Sequence, residues 1–284
     1  MSVAEARLEA VGRPIKGPSA LGGDAQRFIH LTWTLAITEF KLRFFGSVLG
    51  YLWQLMRPLL FFGVLLLVFT QFVKLGNAVY QYPVVLLLGI VLFSFFAEAT
   101  GTAVSSLVDR EALLRKIHFP RMVIPLAVVL NAYFNLLLTL VVVFIFALAR
   151  GVTPRLSWLE LVPLMIVLGV FGTGIAMLLS ALYVRFRDVR PVWEVTTQML
   201  FYGSPILYTI EHIRQAAFQK AVMCSPLAVV LTQARHAVVG HGPGAAAAIG
   251  GWGRLLIPAA LAVLAFGLGF WVFNREAPRI AEQL

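Results

Sequence analysis

Six stretches of this chain carry no Asp, Glu, Lys or Arg and consist almost wholly of apolar residues. They are Pro58–Val73, Leu75–Ala97, Met122–Ala149, Leu161–Val184, Val195–Ile210 and Leu255–Asn274. A helix needs about 20 apolar residues to cross roughly 30 Å of hydrocarbon. The runs therefore predict an all-α integral membrane protein with six transmembrane helices. The first run is short, and its helix is expected to begin near Leu52, with Arg57 snorkelling to the interface. The second continues past Glu98 to Val108. The fifth is short unless Pro191–Glu194 form its first turn.

Composition agrees. Of 284 residues, 60% are hydrophobic and only 13% charged, against about half and a quarter in soluble domains. The runs leave no room for a soluble domain. A net charge of +10 in such a chain reports topology and contact with anionic headgroups, not nucleic acid. Cys224 is the only cysteine, so no internal disulfide or cysteine metal cluster is possible. Met1–Arg27 mixes both charge signs with Gly and Pro and lacks the apolar core and cleavage site of a secretory signal. It reads as a flexible cytoplasmic tail.

A seventh apolar stretch, Ala221–Ala234, has Pro226 near its start and is too short to span. It suits either a re-entrant segment or an interfacial loop helix just before the last span.

Lys and Arg set the orientation. With both termini inside, the inner segments hold 16 basic residues and the outer ones 7, namely Lys74, Arg150, Arg155, Arg214, Lys220, Arg235 and Arg254. Without the distant Arg7, Arg13 and Lys16 the inner count is still 13. Cytoplasmic termini follow.

Three inner segments stand out. In Phe28–Phe45, residues Ile29, Trp33, Ile37, Phe40 and Phe44 share one helical face, with Lys41 and His30 beside it. This predicts an amphipathic helix in the membrane interface or an extension of the first span. Asp109–Pro120 reads DREALLRKIHFP. Asp109 is a candidate N-cap, Glu111 and Arg115 form an i,i+4 pair, and Leu113, Leu114 and Ile117 make an apolar side. A short helix there would suit docking of a soluble partner, or serve as a solvated connector. Tyr183–Pro191 reads YVRFRDVRP and gathers Arg185, Arg187, Asp188 and Arg190, as charge anchoring or as a second docking point.

At these segments the sequence resembles a known family. EFKLRFFGSVLGYLWQLMRPLL (Glu39–Leu60) resembles the start of permease subunits of bacterial ABC exporters for O-antigen, capsular polysaccharide and teichoic acid. LLRKIHFPRMVIPLA (Leu113–Ala127) resembles the family's cytoplasmic loop, and YVRFRDVRP its Arg-Asp segment before the fifth span. SPILY (Ser204–Tyr208) and SPLAVVLTQAR (Ser225–Arg235) resemble its region around the external re-entrant helices, with Ser225 where the family usually has Asn. The resemblance runs from about Phe28 to Phe273.

The resemblance implies six spans per subunit, a homodimer in the bacterial inner membrane, and two copies of a separate ATPase subunit that binds ATP and Mg. It implies an interfacial helix over 28–45, with Trp33, Phe40, Lys41 and Arg43 on it. A six-helix permease domain follows over 46–276, and a cytoplasmic tail over 277–284. Coupling to the ATPase falls on Asp109, Glu111, Leu114, Arg115, Lys116 and His118, with a second contact at Arg185, Arg187 and Asp188. The substrate implied is a lipid-linked polysaccharide. The chain contains no Gly-Lys dipeptide, hence no phosphate-binding loop of the G-x-x-x-x-G-K-[ST] type. Any ATP hydrolysis by that chemistry belongs to another polypeptide.

A hydroxylated polymer needs a lined path, because unsatisfied hydroxyls in hydrocarbon each cost several kcal/mol. Aromatic faces suit sugar rings, and 12% of the chain is aromatic. Candidates for the path are Phe61, Phe62, Tyr133, Phe134, Phe201, Tyr202 and Tyr208. Glu98, roughly 22 Å from the outer end of its helix at 1.5 Å per residue, is an intramembrane acid that faces a hydrated vestibule, pairs with a base such as Arg57, or snorkels inward. Gly169, Gly172, Gly174, Ala176 and Ser180 predict close helix packing.

A secondary transporter would want a relay of intramembrane acids or histidines, and Glu98 is nearly alone. A membrane enzyme would want paired carboxylates, a His with an acid, or a metal cluster. Only Glu211–His212 puts an acid beside a His, and adjacent residues do not face each other on a helix. An ABC exporter of a small lipid or drug would share the fold.

Overall fold

A computed structural model describes residues 25–44, 50–74, 79–116 and 120–283. Among them the chain is mostly helical and has no strand, as the apolar runs demand. Five helices are long and apolar enough to cross a membrane.

Helix α1 covers Ala25–Phe44, starting three residues inside the stretch expected to be tail. Its closest packing to the bundle is through the fully buried Ala36. Ile29 and Trp33, large residues on the face the spacing singled out, remain exposed in the single chain. A small side chain at the crossing lets two helices approach, and the large ones then flank the contact.

Helix α2, Gly50–Leu67, contains Pro58 and passes into a π-helical turn at Val68–Phe72. The Thr70 hydroxyl donates to the Leu66 carbonyl at 2.6 Å, competing with the backbone ladder, and Val73 N–H bonds back five residues to Val68. The span is nearly uncovered in the single chain.

Helix α3, Tyr82–Ser105, is the central element. Most of its circumference is buried, which is why its apolar residues show no preferred face. Pro83 sits in its first turn, where the missing N–H costs nothing. Gln81 Nε2 donates to the Arg150 carbonyl at 3.1 Å, tying the start of α3 to the end of α5. The short α4, Glu111–Lys116, leads into α5, Val123–Ala149.

Helix α6 spans Leu161–Arg185. Its most extensive partner is α11, Leu256–Gln283. A Cβ on Gly174 would lie 2.5 Å from the Phe266 backbone, and one on Gly269 2.0 Å from the Gly174 carbonyl. The glycines thus serve close packing. Helix α11 continues through the stretch expected to be a tail from 277, as far as Gln283. Ala277, Ala281, Glu282 and Gln283 are good helix formers, and Leu284 lies outside the described residues.

The helix expected as the fifth span begins as the alternative foresaw, with Pro191–Glu194 in its first turns, but ends early: α7 covers Val189–Gly203. Its 15 residues reach about 22 Å, short of the hydrocarbon thickness. Pro205 disfavours helix at the residue before it, and Ser204 is extended. Beyond Gly203 the chain runs through the turns and bends of Ser204–Thr209. Tyr82, at the start of α3, donates its hydroxyl to the Leu207 carbonyl at 3.0 Å, and Ile206 packs against Gly89. Pro191 lies in the first turn of α7, where it is tolerated.

Helices α8 (Ala216–Met223) and α9 (Pro226–Val239) meet at a 100° bend. They form a sharply bent pair, a broken span or a re-entrant loop, and not one straight helix. The last carbonyls of α9 are met from a turn at Leu156–Glu160: Ser157 Oγ donates to Ala237 and Trp158 Nε1 to Val238. A short helix α10, Ala245–Ile249, precedes α11.

Apolar clusters define the two ends. One joins Leu107, Leu114, Met122, Met177, Val184 and Phe273, beside the Arg-rich connections. The other joins Ile210, Met223, Ala228 and Ile249 around the bent pair.

Candidate functional site

Helices α2, α3 and α5 line an open cavity of about 1090 Å³. Its walls follow from helical spacing. Helix α2 presents Trp53, Gln54, Arg57 and Phe61, α3 presents Ser94, Glu98 and Thr102, and α5 presents Asn135 and Thr139. Polar residues four apart lie on one helical face. Ser94, Glu98 and Thr102 form one such row, and Asn131, Asn135 and Thr139 another. These rows are readable in the sequence, and only Glu98 was singled out from them.

Asn135 Nδ2 donates to Glu98 Oε1 at 2.7 Å. The carboxylate can only accept, so it fixes the orientation of the amide. Asn135 is 4% exposed, and its Oδ1 has no hydrogen-bond partner. Thr139 Oγ1 donates to the Asn135 carbonyl. Arg57 lines the same cavity as Glu98, so one cation and one anion face a common space.

The aromatic candidates divide. Phe61 lines the cavity and is half exposed. Tyr202 is open, at 67% exposure. Phe62 is buried within the single chain, edge-on to Phe146. Phe201 is buried there too, against Phe61 and Phe93, as the apolar anchor of α7. Tyr133 donates its hydroxyl to the Met165 carbonyl at 2.7 Å and lies half-buried against Phe95, so it ties α5 to α6. Tyr208 turns its hydroxyl onto the Gly203 carbonyl at 2.9 Å. Phe134 sits between Trp33 and Phe40, edge-on to both. Burial of these rings was not legible in the sequence, because every face of an intramembrane helix can be apolar.

At the Arg-rich end, Leu114 is buried and anchors α4 in the apolar cluster. Glu111 opens α4. Asp109, the candidate N-cap, accepts the Ser105 hydroxyl at 2.8 Å and so looks back to α3. Arg115 and Lys116 have their backbone in α4, with side chains outside the described residues, as is the side chain of Arg43. His118 lies outside them altogether. Arg110 pairs with Glu39 of α1. Lys41 is exposed on α1. Arg185 stacks over Phe186 and Arg187 over Tyr183. Both arginines and Asp188 are exposed. Arg190 bonds Glu194 at 3.3 Å.

At the other end the histidines are separately engaged. His212 Nδ1 lies 2.6 Å from Thr209 Oγ1, His236 Nδ1 2.9 Å from the Gly242 carbonyl, and His241 stacks on Tyr80. Among the described residues no group of three or more His, Cys, Asp or Glu is placed to hold a metal ion.

Residues 30–239 match the family model described as ABC-2 type transporter. The chain is 31% identical over 195 residues to the O-antigen export system permease protein RfbA of Klebsiella pneumoniae, covering 68% of this chain and 74% of that protein. It is 28% identical to the O-antigen export system permease protein RfbA of Myxococcus xanthus, over 70% of this chain and 76% of that protein. The polysialic acid transport protein KpsM of Escherichia coli is 23% identical over 72% of this chain and 80% of its own length.

Proposed function

Because the chain belongs to the ABC-2 type transporter family, we propose that it is the transmembrane subunit of an ATP-driven exporter that moves a lipid-linked, O-antigen-like polysaccharide across the bacterial cytoplasmic membrane. The observation that carries the reading is the 31% identity to an O-antigen export permease, across most of both chains.

In this reading the permease is not itself an enzyme, and two copies of a cytoplasmic ATPase bind ATP and Mg. The permease works as a homodimer. Helices α2 and α11 support that assembly, since each is apolar and has little cover within one chain. Both termini lie on the cytoplasmic side. Six crossings support this: α2, α3, α5, α6, the composite of α7 with Ser204–Thr209, and α11. The re-entrant pair α8–α9 returns to the side it left. The excess of Lys and Arg falls at the end that holds α4 and the Arg185–Arg190 segment, as the positive-inside rule asks.

Helix α4 is the principal ATPase contact and Arg185–Arg190 the second. The supporting geometry is an apolar anchor, Leu114, on the short helix α4, with the exposed Arg185, Arg187 and Arg190 on the neighbouring connection. The test is to co-produce the chain with the ATPase encoded beside its gene and to purify through a tag on this chain alone. Co-purification of an active ATPase, lost on Arg115→Glu with Lys116→Glu, is the expected result. A well-folded permease that retains no ATPase would overturn the reading.

A further inference from the structure

We propose that the cavity between α2, α3 and α5 is a binding subsite for sugar rings of the exported polymer, with Glu98, Gln54, Arg57 and Thr102 as its polar contacts and Trp53 and Phe61 as its apolar faces. The inference rests on the polysaccharide reading above and places one contact of the polymer within a single subunit.

The wall chemistry selects the ligand class. A carboxylate accepts hydrogen bonds, a guanidinium donates them, and an amide and hydroxyls do both. A sugar ring presents hydroxyls, which donate and accept at once, and C–H faces that lie against aromatic rings. An anion such as a phosphate would be drawn to Arg57 but repelled by Glu98 in the same cavity. Acyl chains would leave the polar rows of α3 and α5 without use. A neutral polyol can donate to the carboxylate and accept from the guanidinium at once.

The geometry supports the same choice. The cavity holds about 1090 Å³, at the upper limit of the range of roughly 300–1,000 Å³ for ligand pockets. Trp53 and Phe61 both line the cavity, on the same stretch of α2 as Gln54 and Arg57. The Asn135 amide donates to Glu98 at 2.7 Å and acts as a positioning residue for the carboxylate. Counted along the helices, Trp53, Arg57, Glu98 and Thr102 lie toward the Arg-rich end. The subsite thus stands on the side from which the polymer enters in the proposed topology.

The test uses the full chain with its ATPase in cells that make the native polymer. A deletion strain is complemented with Trp53→p-benzoylphenylalanine, irradiated, and the permease purified. The adduct is read by periodate-reactive sugar and by lipid mass, and surface polymer is measured in parallel. The expected result is a hexose-bearing adduct at position 53 that falls about tenfold in Glu98→Gln. Thr102→Val, which keeps its volume, lowers it in the same direction should Glu98→Gln accumulate poorly. An adduct that carries only phospholipid, or none, in a strain whose export depends on the chain overturns the subsite and leaves the exporter reading standing. Export that does not depend on the chain overturns both.

Discussion

Arg235 Nη2, on helix α9, donates to the carbonyl of Pro205 at 2.6 Å, and the same nitrogen lies 3.3 Å from the carbonyl of Tyr208. Irregular backbone at membrane depth persists only where protein or water meets its polar groups. Here one buried guanidinium serves two carbonyls of the irregular segment that follows α7, and Tyr82 serves a third at Leu207. Arg235→Met therefore strands one buried and one part-buried acceptor. Each lost hydrogen bond to a charged group costs about 1.5–3 kcal/mol, and the thermal midpoint of the purified protein is expected to fall. Arg235→Lys is expected to recover only part of the loss, because an ammonium is a single point charge and not a fork. An unchanged midpoint in Arg235→Met would mean that the segment is held by other contacts.

The α6–α11 crossing makes a second prediction. Gly269→Val is expected to abolish accumulation of folded protein, because its Cβ would collide with the Gly174 carbonyl. Gly267→Ala, two residues away, meets nothing within 4 Å and is expected to be neutral or slightly stabilising, since alanine favours helix over glycine by about 1 kcal/mol. Membrane yield and detergent-phase melting curves compare the two.

Tyr133→Phe removes one hydroxyl that bonds the Met165 carbonyl. The expected cost is about 1 kcal/mol, with export otherwise intact. Phe62→Ala opens a cavity in the packing against Phe146 and is expected to cost about 3–5 kcal/mol. Tyr202→Ala, at an exposed position, is expected to leave stability unchanged. Export per folded molecule then separates Tyr202 as a path residue from Tyr202 as a lipid-facing one.

Glu39 and Arg110 join α1 to the turn that leads into α4. Both are about one-fifth exposed, and pairs of this kind contribute on the order of 1 kcal/mol or less. Stability is thus expected to change little in Glu39→Arg or Arg110→Glu. Transport is expected to suffer more, since the pair ties α1 to the proposed ATPase contact. The combined swap Glu39→Arg with Arg110→Glu is expected to restore polymer export per ATP hydrolysed. A swap that exports no better than either single variant would place the pair outside coupling.

The sequence by itself determined the class of the protein and most of its spans. Charge-free runs of about 20 residues have one stable solution in a bilayer, so Met122–Ala149 and Leu161–Val184 lie within a residue or two of α5 and α6. Proline and glycine carried further information that a run count discards: Gly203-Ser204-Pro205 ends α7 early because the residue before proline leaves the helical region. The spacing of Ser94, Glu98 and Thr102 was likewise on the page. Which aromatic rings are buried was not. Hydrophobicity separates a soluble core from water, but in a membrane both lipid and protein interior are apolar, so Phe62 and Phe61 look alike until neighbouring helices are in place. The polar cavity and the Arg235 clamp belong to the tertiary structure for the same reason. Each is made by residues 27 or more positions apart, whose meeting is set by helix packing and not by any local pattern.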